Sequence, residues 1–384
     1  MNLFPGLAVV LDVRMRGGRP HPQGVFASTE FGKEEEEENQ KRYRRRHDII
    51  VPSTQRANWE PVTTQFLEKE WRHMQRLRHR SSCFAYSERR PIEVVKAING
   101  LEKVVLREIQ GSSVEIYLYG AHVTSWKNEQ GEELLFLSSK AIFKPPKPIR
   151  GGIPICFPQF SNLGSLESHG FARNRVWGFD DDPPPFPVDA ANKVFTDLIL
   201  RPTKDDFKIW PHSFEYRLRI ALGPGANLMM TSRIRNTNTD GKPFTFTFAY
   251  HTYFSVSDIS EVRVEGLETL DYLDNCKKRE RFTEQGDSIT FEESEVDKIY
   301  LSTPTKIAVM DHEKKRTFVI RKEGLPDAVV WNPWEKKSKA MVDFGDEEYK
   351  HMLCVEAATV EKPITLKPGC IMFCIAFCAF DGKR

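Results

Sequence analysis

The strongest constraint on this chain is a two-residue alternation that recurs from about Ile92 to the C-terminus. In "SSVEIYLYGAHVTSW" Val114, Ile116 and Leu118 alternate with Glu115, Tyr117 and Tyr119; in "EYRLRIAL" Tyr216, Leu218 and Ile220 alternate with Arg217 and Arg219. Side chains two apart share a face only in an extended chain, so each stretch can bury one side as a strand. "DLILRPTKD", "KIAVMDH" and "RTFVIRK" add more strands. "LMMTSRIRNTNTDGKPFTFTFAYHTYF" reads as two strands joined through the Asp240–Gly241 turn signal. The closing run "GCIMFCIAFCAF" is apolar on both faces, as a central strand would be. Many short strands, frequent turns and few helical stretches predict an all-β sandwich. The absence of a fixed-period repeat counts against a propeller or solenoid. The Pro-rich "DDDPPPFPVD" cannot be a central strand and is expected on the surface as a loop.

The first ninety residues break this pattern. "KEEEEENQKRYRRRH" sets an acidic block beside a basic one, as solvated segments do. "QFLEKEWRHMQRLRHR" offers Phe66, Leu67, Trp71, Met74 and Leu77 at helical spacing. Residues 1–90 are therefore read as a flexible N-terminal extension with a short helix and no catalytic role, and residues 91–384 as the β-sandwich domain. The Glu34–Glu38 run argues against a transit peptide.

A net charge of only +2 gives no electrostatic footprint for nucleic acid. The seven cysteines follow neither a disulfide framework nor a zinc spacing, so Cys370, Cys374 and Cys378 read as buried free thiols in a reducing compartment. No apolar stretch is long enough for a membrane span, and the opening "MNLFPGLAVVLDVRMRGG" lacks the basic start of a secretory signal. A cytoplasmic protein is expected, with a monomer as its state.

Four segments could carry chemistry. In "PFTFTFAYHTYF" Phe244, Phe246, Phe248 and Tyr250 form an aromatic face that packs between sheets, leaving Thr245, Thr247, Ala249, His251 and Tyr253 on a smaller, more polar face. From this segment alone, a ligand-facing His251 and a structural His251 are equally good readings. Glu356 in "HMLCVEAATV" is a carboxylate within an apolar strand and has no cation nearby in sequence. Such a group is costly unless it is partnered or functional, and the apolar setting raises its pKa toward that of a working base. Asp297 ends the acidic stretch "EESEVDKIYL", and local context makes it structural. "RGGIPICFPQFSNLGSLESHGFARNRVW" combines Gly151 and Gly152, Pro154 and Pro158, His169, and Arg150, Arg173 and Arg175. Its glycines permit close backbone approach, and its arginines can fork onto a phosphate. They could equally bridge loop carboxylates such as Glu167 and Asp180.

Taken together, "RGGIPICFPQF", "ESHGFARNRVW", "FAYHTYF", "EVDKIYLST", "DAVVWNPW" and "MLCVEAATV" resemble, in family order, the hexose-6-phosphate mutarotase branch of the aldose 1-epimerase family, the plant-type members most of all. The resemblance covers the chain from about Ile92 onward. It implies a large antiparallel β-sandwich (the galactose mutarotase-like supersandwich) with a concave active-site groove. It also implies a hexose 6-phosphate substrate and a reaction without cofactor or metal. Carried over by motif, Glu356 is the general base and a protonated His251 the general acid, facing each other across the pyranose. Arg150 and Arg173 contact the substrate at its phosphate, Asp297 binds sugar hydroxyls, and His169 positions the sugar near its ring oxygen. Relatives commonly have Gln where this chain has Ser168, so a contact there is weaker or bridged by water. Two other readings stand beside this one. A non-catalytic carbohydrate-binding protein would need no buried carboxylate opposite a histidine, and a glycoside hydrolase would pair Asp297 with Glu356.

Overall fold

The computed structural model describes residues 90–185 and 193–382. The expected extension and its helix lie outside these residues; the first strand, Ile92–Lys96, starts where the alternation does. Among the described residues are three antiparallel sheets and two short α-helices, Lys204–Ile209 and Trp334–Ala340. Neither helix is long or apolar enough to cross a membrane.

A four-stranded sheet runs in order Ile92–Lys96, Glu102–Arg107, Ser113–Tyr117 and His122–Lys127. One eight-stranded sheet runs Val262–Glu265, Lys306–Asp311, Arg316–Glu323, Ile371–Gly382, Asn227–Asn236, Phe214–Gly223, Val194–Leu200 and Gly178–Phe179. The other runs Glu280–Thr283, Asp271–Asp274, Val296–Tyr300, Asp327–Asn332, Met352–Leu366, Phe244–Tyr250 and Ile155–Cys156, with Tyr253–Ser255 also paired to Met352–Leu366. All three sheets send side chains into one core, including Ile116, Leu218, Phe248 and Val355. Phe157 is a hub of that core, meeting Phe171, Trp210, Phe214, Tyr216 and Phe246 edge-on, the arrangement that aromatic quadrupoles favour.

Asp240–Gly241 joins two strands, as expected, but these do not pair with each other. Asn227–Asn236 lies in one eight-stranded sheet and Phe244–Tyr250 in the other, so the turn carries the chain across the sandwich. Asn236 holds this crossing with its side-chain amide, which donates to the carbonyls of Lys242 and Leu366. The final strand, Ile371–Gly382, is central in its sheet as expected, but its faces differ. Met372, Cys374, Ala376 and Cys378 are buried, while Ile371, Phe373, Ile375 and Phe377 are half-buried, with Arg233 over the Phe373 ring. The Pro-rich segment is exposed at residues 181–183, as a surface loop should be. The six cysteines among the described residues are all free.

Candidate active site

Five neighbouring strands build the site: Val296–Tyr300, Asp327–Asn332, Met352–Leu366, Phe244–Tyr250 and Ile155–Cys156. Alternation sends Tyr300, Ala328, Val330, Val355, Ala357, Phe248 and Tyr250 into the main core. It sends Ile299, Val329, Ala358, Ala249 and Cys156 to the opposite face, where they form a separate cluster with Phe160. Ala249 pairs directly with Ala358. Two small side chains meet at this crossing, and Glu356 and His251 each lie two residues along from them on the same face.

His251 follows the end of its strand and is anchored by its backbone N–H, which donates to the Pro154 carbonyl at 3.0 Å. Its Nδ1 lies 2.9 Å from Glu356 Oε1, with both side chains almost wholly buried. The two do not form an aligned hydrogen bond, and Glu356 Oε2 has no partner among the described residues. The pair thus touches directly instead of facing across a sugar-wide gap, so a pyranose must lie over it. Burial pushes the Glu356 carboxyl well above its usual range, and only the Arg173 charge opposes this. Burial, with Arg173 and Arg150 adding to it, holds His251 well below its ordinary value. The expected imidazolium is therefore not the form that burial and the two arginines favour.

A groove of about 250 Å³ opens over the pair and is lined by Arg150, Ser168, His169, His251, Asp297 and Glu356, among others. Six of the seven expected residues thus share one cavity. The seventh, Arg173, is not part of its wall. Its Nη2 donates to the Ser168 carbonyl at 2.7 Å, and its Nε has no partner among the described residues. Arg150 grips Asp343 with Nε and Nη2 at 3.3 and 3.2 Å, and its Nη1 donates to the Tyr253 hydroxyl at 3.2 Å. The alternative in which the loop arginines bridge carboxylates holds for two of the three, with partners other than those expected: Arg150 pairs with Asp343 and Arg175 with Asp206, while Asp180 pairs with Arg217. Gly151 and Gly152 adopt φ of +106° and +65°, and a Cβ at Gly152 would lie 2.2 Å from the Val123 carbonyl. Only glycine allows the loop to pass so close to the neighbouring strand.

His169 can be assigned a tautomer. The Ser161 backbone N–H donates to its Nδ1 at 3.1 Å, so Nδ1 is an acceptor, and the Cys156 thiol also lies 3.1 Å from it. Burial and nearby Arg173 keep the ring neutral. Its proton is therefore on Nε2, which makes His169 a donor. Asp297, structural by local context, lines the groove with its carboxyl pushed up to about 6, mainly by burial. Behind the loop His122 is fully buried, with Nε2 2.7 Å from the Gly151 carbonyl.

Several groove residues were missed by the sequence reading. Trp331, edge-on to both His251 and Tyr253, lines the groove, as do Asn275, Lys337 and Met341. Tyr253 shares a face with His251, as the alternation predicts, stacking on its ring and accepting from Arg150; Asn275 and Lys337 look like ordinary surface residues in sequence. No group of three or more His, Cys, Asp or Glu side chains among the described residues is arranged to hold a metal ion.

Residues 102–372 match the model of the aldose 1-epimerase family. The chain is 75% identical over 277 residues to a protein of Cenchrus ciliaris provisionally named glucose-6-phosphate 1-epimerase, covering 72% of this chain and 84% of that one. It is 30% identical over 292 residues to a protein of the same provisional name from Salmonella typhimurium, covering 72% and 92%. Among solved structures, a mutarotase-like protein from Salmonella typhimurium superposes with a TM-score of 0.65 at 26% identity, covering 76% of this chain and 97% of its own.

Proposed function

The chain belongs to the aldose 1-epimerase family, and from that premise we propose that it interconverts the α and β anomers of D-glucose 6-phosphate and related hexose 6-phosphates. The observation that carries this reading is the contact between His251 and Glu356 on the floor of a groove whose wall includes Arg150.

An aldohexose ring opens when the C1 hydroxyl loses a proton and the ring oxygen gains one. Glu356 takes the first and His251 supplies the second. Because the two side chains touch, they titrate as one unit and share a single proton. With the ring closed, the working form is carboxylate plus imidazolium. Once the ring is open, the pair is carboxylic acid plus neutral imidazole. Burial favours the uncharged form, so it favours the proton arrangement that belongs to the open aldehyde. The aldehyde turns about its C1–C2 bond, and closure from the other face reverses both transfers. Each positioned proton donor or acceptor contributes on the order of 10²–10⁴-fold in rate. Neutral His169 donates from Nε2 toward the ring oxygen, and Asp297 accepts from a sugar hydroxyl. Arg150 holds the phosphate while the C1 end moves, and Arg173 fixes the Ser168 backbone from behind the groove wall. The shorter Ser168 side chain reaches the sugar through water. Free cysteines support a reducing, cytoplasmic setting.

The test is anomer exchange on glucose 6-phosphate followed by NMR. Glu356→Gln should abolish acceleration, and an unchanged rate removes Glu356 from the role. Arg150→Ala should raise KM for glucose 6-phosphate far more than for glucose; equal effects would refute the phosphate contact. Binding without exchange would instead identify a carbohydrate-binding protein.

A further inference from the structure

At the Asp297 end of the groove, three elements distant in sequence converge. Asn275 opens the 3-10 turn Asn275–Lys277, which is capped where the Asp274 carboxylate accepts from the Cys276 N–H. Its Nδ2 donates to Asp297 Oδ1 at 2.7 Å. Lys337 lies on the helix Trp334–Ala340 and pairs with Glu295. Its Nζ is 5.8 Å from the Trp331 ring centre and 4.0 Å from Asp297 Oδ2. Asn275, Asp297 and Lys337 all line the groove.

The 4.0 Å separation is informative. It exceeds an N–H···O bond, which spans about 2.7–3.2 Å. It leaves room for a hydroxyl between the two groups, its oxygen accepting from the ammonium while its proton goes to the carboxylate. Asn275 takes one acceptor site on Oδ1, and Oδ2, the oxygen nearer Lys337, is open to a ligand. An ammonium has three donors, and the bond to Glu295 leaves two. A charged donor and a charged acceptor on one hydroxyl give a stronger and more directional contact than either alone.

Resting on the hexose-phosphate reading above, we propose that Lys337 and Asp297 together hold one ring hydroxyl of the sugar, with Asn275 as the positioning residue for the carboxylate, and that this trio decides which hydroxyl patterns the groove accepts. The groups facing the Asp297 carboxyl are Asn275 and Lys337, which favour its ionised form, and Glu295 and Glu356, which oppose it. Loss of Lys337 therefore moves the pH below which the hydroxyl contact fails upward.

The experiment measures KM by NMR anomer exchange for wild type and Lys337→Met on glucose 6-phosphate and its 2-, 3- and 4-deoxy analogues. Lys337 is 42% exposed on a short surface helix, so methionine should be tolerated, and a thermal melt checks this. One deoxy analogue should raise the wild-type KM about tenfold, the scale of a charged hydrogen bond. Lys337→Met should raise KM for the parent sugar by a similar factor, yet match wild type within about twofold on that analogue. It should also show the KM increase on acidification at a higher pH. Equal losses on all four sugars, or no loss on any, overturn the proposal. If wild type exchanges no anomers, the mutarotase reading fails separately, and calorimetric Kd values for the same sugars decide the contact. The same pattern in Kd supports it; uniform or absent binding overturns it.

Discussion

His251 and Glu356 are each so far from water that their charge states depend on one another. His251→Asn keeps a polar group but cannot pass a proton, so kcat for anomer exchange should fall by about 10²–10⁴-fold with little change in KM. Asp297 gives a separate signature. Its carboxyl titrates near pH 6, and only the ionised form is a charged acceptor for a sugar hydroxyl. KM should therefore climb, by about tenfold, as pH falls through that value, and Asp297→Asn should raise KM and flatten the profile. A KM that does not change between pH 5 and 8 would remove Asp297 from substrate binding. These roles were only partly visible in the sequence. A carboxylate among Cys354, Val355, Ala357 and Ala358 stands out as costly, whereas Asp297 in an acidic stretch does not. Lys337 lies in "WEKKSKA", a run typical of a solvated helix, and only the fold aims it at the groove.

The loop Arg150–Pro158 is shaped by backbone contacts as much as by side chains. The Gly152 carbonyl accepts from the Tyr253 N–H at 2.9 Å, Pro154 holds the His251 N–H, and Gly151 N–H-bearing backbone runs beside Phe136 and Leu137. Gly152→Ala would force a left-handed φ on an L-residue and press its Cβ against Val123. It should destabilise the protein by about 1–3 kcal/mol or more in urea titration and raise KM through displacement of Arg150. Unchanged stability would show that the loop can move aside. The glycine pair and the prolines were legible as a tight, stiff loop, but the partner of Arg150 was not. Asp343 lies far along the chain and meets Arg150 because the segment after the helix Trp334–Ala340 returns to the groove rim.

In the whole molecule, the site sheet rests on a core that shares Phe157 with the groove-forming loop. Phe157→Ala should cost about 3–5 kcal/mol in urea unfolding with the m-value retained, because five aromatic neighbours cannot collapse into the space. A loss under about 1 kcal/mol would mean the hub is dispensable. By itself the sequence determined the strands, the all-β class, the aromatic face of Phe244–Tyr250 and the oddity of Glu356, because period-two burial and the penalty on a lone carboxylate are local properties. Only the tertiary structure decided that Asp240–Gly241 crosses the sandwich, that Arg173 stands behind the groove wall, that His251 touches Glu356, and that Asn275 and Lys337 reach Asp297. Alternation says which way a side chain points, but not which strand lies beside it. Pairing is set by how the complete faces pack, and that depends on residues far apart in the chain.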